Sequence, residues 1–167
     1  MIIGMDRRGF TIMELLIVIV IMGILLTLGA VNLRGSQIGA RDAERKADIE
    51  SIATHLETYY ASGTDSSAAT GDYPPTTITA TFSSIKQFLR DINTQSLIAP
   101  GITDPTQTFI SANNTNTPSP NINQYVYQPI QGDGTLCTQD SQECRKFNLY
   151  YTTEADNIVH TVTSKNQ

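Results

Sequence analysis

The sequence predicts an α+β protein in which a long N-terminal helix, membrane-spanning in its first half and amphipathic in its second, packs on a small C-terminal antiparallel β-sheet head. Three observations predict it. Leu15 to Val31 is a run of seventeen residues without a charge. From Arg34 the pattern changes to RDAERKADIESIATHLETYY, in which Ile49, Ile52, Ala53, Leu56 and Tyr59 or Tyr60 recur at three- and four-residue spacing. That spacing lays apolar side chains along one helix face. Near the C-terminus, QYVYQPI (124–130), KFNLYYTT (146–153) and NIVHTVT (157–163) are β-branched or aromatic runs separated by turn residues.

Taken in order, the apolar run is extended by Asn32 and Leu33 to Arg34. Nineteen residues at 1.5 Å each give about 28 Å, which matches the hydrocarbon thickness of a bilayer. Arg7 and Arg8 stand immediately before it, so the positive-inside tendency places residues 1–9 in the cytoplasm and the chain beyond Arg34 outside. A secretory signal has a shorter apolar core followed by a small-residue cleavage site. Here the run is too long and no such site follows, so cleavage falls before it, at Gly9-Phe10, and the apolar segment stays on the mature chain. One carboxylate, Glu14, opens this segment. An acid inside a membrane is costly and therefore functional by default.

No proline interrupts residues 10–60, which predicts one helix of about fifty residues, near 75 Å long. Gly23, Gly29, Gly35 and Gly39 are its weak points, and the Gly23 to Gly39 portion is expected to bend or unwind on assembly. Asp42 with Lys46, Arg41 with Glu44, and Arg45 with Asp48 read as ion pairs on a solvated face. Gly63 stops the helix after Ser62, and a turn-rich connection through Gly71-Asp72-Tyr73-Pro74 follows. FSSIKQFLRDI has Phe82, Ile85, Phe88, Leu89 and Ile92 on one face, with Ser83 or Ser84 as N-cap, and predicts a short second helix. The Asp104-Pro105 turn and an Asn/Thr/Pro-rich loop at 112–123 lead into the three strands, the last two joined as a hairpin at Glu154-Ala155-Asp156. One face of the sheet is expected to pack on the distal half of the long helix.

With 167 residues, 16% of them charged and no Trp, the chain has the size and polarity of one small exported domain on an extended element, not of a large enzyme around a cleft. The formal charge is −5, and −6 once residues 1–9 are removed, which argues against nucleic acid as a partner of the bulk surface. Cys137 and Cys144, separated by six residues, fit neither a CxxC redox pair nor a zinc half-site. For an exported domain the simplest reading is a disulfide-closed loop, the alternative being two unpaired thiols. No catalytic set is legible, so no enzymatic activity is expected. His55 and His160 have no spaced ligand cluster around them, and no metal site or cofactor is expected. Gly132-Asp133-Gly134 with Asp140 and Glu143 offers oxygen ligands but lacks EF-hand spacing. There is no phosphate-binding glycine loop, so ATP-driven work belongs to partners.

Arg7-Arg8-Gly9-Phe10-Thr11-Ile12-Met13-Glu14 followed by the long apolar run resembles the class III signal of the type IV pilin and type II secretion pseudopilin family. Gly71-Asp72-Tyr73-Pro74 resembles the short G-x-Y-P element many of its members carry after the long helix; over residues 61–167 the likeness is of general architecture only. The resemblance implies cleavage after Gly9 by a membrane prepilin peptidase and N-methylation of Phe10. It divides the chain into a cytoplasmic leader (1–9), a transmembrane and filament-core helix (10–33), its amphipathic continuation (34–61) and a globular head (62–167). It also implies a role for the acid: in a water-poor filament core, Glu14 pairs with the Phe10 ammonium of a neighbouring subunit, a pair far costlier to break than never to have had. The expected partners are copies of the chain itself, minor pilins, the membrane platform and ATPase of a pilus assembly machine, and the cytoplasmic membrane before assembly. The expected function is a structural subunit of an extracellular type IV pilus. The alternatives are a pseudopilin of a type II secretion or competence machine and a membrane-anchored binding protein that never polymerises.

Overall fold

The computed structural model describes residues 9–63, 71–77, 79, 82–89, 91–104, 106 and 108–166, without the side chains of 31 and 32. The chain divides into two compact units, Met1–Gln37 and Ile38–Gln167. Helix α1, Ile12–Ser62, contributes to both and is helical throughout. It stops where the periodicity predicts: Gly63 takes φ 63°, and its N–H donates to Tyr59 O at 2.7 Å. A left-handed residue of this kind closes a helix at least cost when it is glycine.

In the second unit α1 is followed by helix α2 (Phe82–Phe88), a 3₁₀ turn (Thr94–Leu97) and strands β1 (Phe109–Ser111), β2 (Tyr125–Gln131), β3 (Cys144–Thr152) and β4 (Val159–Thr163). Helix α2 starts at Phe82, so Ser83 and Ser84 lie inside it and neither is its cap. It is also shorter than its apolar pattern, because Asp91 turns into the left-handed region at φ 61° and carries Ile92 out of the helical path.

The four strands form one sheet in the order β1-β2-β3-β4. Strands β2, β3 and β4 pair antiparallel as expected, but β1 pairs parallel to β2, with Phe109 opposite Tyr125. The sheet is therefore mixed rather than antiparallel, and β1 is an element the sequence pattern did not mark. A parallel neighbour needs a crossover of a dozen or more residues. Residues 112–124, which the sequence pattern reads as a loop through residue 123, supply it. Buried Gln128 holds this crossover, its Nε2 donating to Asn114 O at 2.9 Å and Asn116 O at 3.0 Å. β1 pairs with β2 only as far as Tyr127, and past that point Pro129, which has no N–H to give, lies opposite Phe147 of β3.

Alternation along β2 and β3 puts Tyr125, Tyr127, Phe147, Leu149 and Tyr151 on one face, where they share a core with Ile49, Ile52 and Leu56 of α1 and with Ile85, Leu89 and Leu97. Aromatic rings fill much of it: Tyr73 meets Phe147 edge-on at 4.8 Å, and Phe109 stacks on Tyr127 at 6.2 Å.

Candidate functional site

The N-terminal end of α1 is built by a reciprocal cap. Thr11, immediately before the helix, donates its N–H to Glu14 Oε2 at 2.9 Å and its hydroxyl to the same oxygen at 2.8 Å. The Glu14 N–H donates back to Thr11 Oγ1 at 3.2 Å. This is the T-x-x-E capping box, which satisfies backbone N–H groups that a helix start otherwise leaves orphaned. Thr11 was not among the residues singled out from the sequence, although a Thr three residues before a Glu at the head of an apolar run is itself a readable signature. Glu14 thus has a local task beside any intermolecular one: its carboxylate is held at the helix start, four residues after Phe10. Gly9 and Phe10 precede the helix, and Phe10 is 85% exposed. Arg7 and Arg8 lie outside the described residues.

Behind this cap the apolar side chains of α1, from Ile12 to Leu28 and again Leu33, are all exposed within the chain. The segment is long and apolar enough to cross a membrane. Among the described residues of its own unit, nothing covers it. Adding a Cβ at Gly23, Gly29, Gly35 or Gly39 meets no atom within 4 Å, so packing inside the chain does not require these glycines.

Further along α1 the structure overturns the solvated ion-pair face. Arg45 is 1% exposed; its Nε donates to Ile122 O at 2.9 Å and its Nη1 to Asp42 Oδ1 at 2.8 Å, with Glu154 3.6 Å from Nη2. Arg41 forks onto Glu154 at 2.8 and 2.6 Å, and this guanidinium holds the Glu154 carboxyl below its ordinary range. Asp42 in turn accepts the N–H groups of Glu154 and Ala155 at 2.7 and 2.9 Å. Asp48 is buried against the Tyr125 hydroxyl, which donates to it at 2.9 Å. Burial, opposed by that hydrogen bond and aided by nearby Glu44, pushes its pKa up to about 6. These charges therefore lie under the head and clamp the β3–β4 turn and the crossover to the helix. Helical spacing showed which residues neighbour one another along α1, but not that the long-range fold would cover them.

Cys137 and Cys144 are joined in a disulfide, and both are buried. The G-x-Y-P segment clasps the loop they close. The N–H of Tyr73 donates to Cys144 O at 2.8 Å and that of Thr76 to Cys137 O at 3.0 Å. Gly71 takes φ 98°, its N–H reaching Tyr60 O, and Pro74 O accepts the Tyr127 hydroxyl. In the region considered for calcium, Asp133 caps its own turn through Thr135 and Glu143 pairs with Arg145 at 2.8 Å. His160 stacks on Tyr151 at 5.1 Å, and His55 donates to Ser51 O at 2.8 Å.

A capped, uncovered apolar helix behind a Gly-Phe junction is the anchor of a membrane-bound protein, with a small disulfide-closed head. Residues 4–30 match the family described as the prokaryotic N-terminal methylation motif. The chain is also similar to the type II secretion system core protein G of Pectobacterium carotovorum subsp. carotovorum, with 39% identity over 56 residues, or 34% of this chain and 36% of that protein. The match thus spans about a third of the relative's length. No solved structure matches. Over residues 4–30 the chain therefore carries a prepilin-type N-terminal motif, and over about a third of its length it is similar to a type II secretion core protein.

Proposed function

We propose that the chain is a structural subunit of a type IV pilus that polymerises through α1 into a surface filament. The observation that carries this reading is the apolar half of α1, whose described large apolar side chains are exposed within the chain and which is headed by a carboxylate. A membrane covers such a surface before assembly, and the same helices of neighbouring copies cover it afterwards. Prepilin peptidase cuts after Gly9, leaving Phe10 as the N-methylated terminus four residues before Glu14. The charged amine of one copy then has the Glu14 of another as its partner, in surroundings where an unpaired charge is strongly disfavoured. A membrane platform, an ATPase and minor pilins complete the machine, and the head faces the medium.

Glu14→Ala tests the reading. It should leave membrane insertion and leader cleavage intact while lowering the yield of sheared fibre at least ten-fold. Wild-type fibre yield from that variant sinks the mechanism. A second reading, a pseudopilin of a secretion machine, draws on the similarity to a type II secretion core protein. Imaging and mass spectrometry of sheared surface material separate the two: long fibres of chain starting at N-methylated Phe10 favour the pilus, and processed chain confined to the membrane fraction favours the pseudopilin.

A further inference from the structure

The second unit carries a concavity of about 630 Å³ lined by Tyr60, Gly132, Arg145, Lys146, Lys165 and Asn166. It gathers three cations on a chain whose formal charge is −5. The placement of two of them is unfavourable within the chain. The Ser164 N–H donates to Phe147 O at 2.9 Å, closing the β3–β4 ladder, so Lys146 and Lys165 stand across from each other one step further on. Like charges facing each other across strands destabilise a sheet. Arg145 is committed to Glu143 and Gly71 O, each at 2.8 Å. Glu57, the carboxylate nearest the tail, is taken up by the Tyr73 hydroxyl, Lys165 N–H and Asn166 Nδ2 at 2.8 to 2.9 Å. Among the described residues, neither the Lys146 nor the Lys165 ammonium has an ion-pair partner.

The complementary surface lies on the same unit. On α1, Ala40, Ala43, Glu44, Ala47, Glu50 and Thr54 are exposed, and they recur at three- and four-residue spacing. Glu44 and Glu50 have no ion-pair partner among the described residues, and the small side chains between them leave room for close approach. We propose that the Lys146–Lys165 concavity of one copy receives Glu44 and Glu50 of a second copy of this chain. This rests on the filament reading and adds the contact that holds neighbouring heads in register.

The geometry fixes the stagger. Tyr60 lines the concavity, and Glu50 and Glu44 lie ten and sixteen residues before it on one helix. At 1.5 Å per residue the contacting copies are displaced along the helix axis by about 15–24 Å. Donor and acceptor surfaces differ, so the contact is head-to-tail and propagates into an open filament instead of closing a dimer.

Charge reversal tests it in the full-length chain. Lys146→Glu with Lys165→Glu should reduce sheared fibre at least ten-fold, and Glu44→Lys with Glu50→Lys likewise. The four substitutions together should restore yield to within about two-fold of wild type. Carbodiimide cross-linking of mixed ¹⁴N- and ¹⁵N-labelled copies should join Lys146 or Lys165 of one copy to Glu44 or Glu50 of another. Fibres that form normally in either reversed pair, with heads equally protease-resistant, overturn this contact and leave the filament reading standing. If the unsubstituted chain makes no fibre, the filament reading fails; the cross-link in isolated membranes then decides the contact, and its absence overturns that too.

Discussion

Replacing Arg45 by Met probes the clamp between helix and head most directly. Methionine keeps much of the buried stem and removes the guanidinium, so packing loss contributes little. Three contacts disappear: the bond to Ile122 O, the pair with Asp42 and the weaker approach to Glu154. The two carboxylates are not abandoned, because Asp42 keeps two backbone N–H donors and Glu154 keeps Arg41. An unsatisfied carbonyl costs about 1–3 kcal/mol, and breaking a buried charge pair costs about 3–5 kcal/mol. With the surviving partners discounting the second figure, a loss of about 3–4 kcal/mol is expected. Arg41→Ala is the comparison. Its pair is forked but partly exposed, at 34% and 24%, and its loss should be clearly smaller than that of Arg45→Met. Urea unfolding of the detergent-solubilised chain, followed by tyrosine near-UV dichroism, reads both. A loss below 1 kcal/mol for Arg45→Met, or equal losses for the two variants, would refute the assignment of Arg45 as the central clamp.

Two further outcomes follow from groups in the same head. Asp48 has its folded pKa raised to about 6 from an ordinary 3.8, so the folded state takes up the proton first and stability is lost as pH rises from about 4 to about 6. Asp48→Asn retains an acceptor for Tyr125 and should stabilise the head by up to about 3 kcal/mol at pH 7.5, with no gain near pH 4; a thermal midpoint that shifts equally at both pH values counts against it. Replacing both Cys137 and Cys144 by Ala opens a short loop and should cost about 2–3 kcal/mol, checked by urea unfolding with and without reductant. Wild-type stability in the double variant would mean that the G-x-Y-P segment alone holds the loop.

Much of the molecule was legible because its signals are local. Hydropathy and length mark the apolar half of α1, three- and four-residue spacing marks the buried stripe Ile49, Ile52 and Leu56, and Gly63 marks the helix end. β-Branched and aromatic runs between turn residues mark β2, β3 and β4 to within two residues. Strand β1 escaped because three residues of parallel pairing leave no pattern of their own, and its partner lies beyond the crossover at 112–124. Thr11 escaped for another reason: the same Glu14 that stands out as an acid inside the apolar segment is also half of an ordinary capping box.

The sequence by itself determined the apolar anchor and the prepilin-type motif at its head, since apolar length and a short motif are properties of consecutive residues. Tertiary structure alone decided that Arg45 and Asp48 are buried and Asp42 largely covered rather than solvated, that the sheet is mixed, and that Lys146 and Lys165 line one concavity. Each of these depends on residues tens of positions apart being brought within a few ångströms, and helical or strand periodicity carries no information about which distant segment will cover a given face.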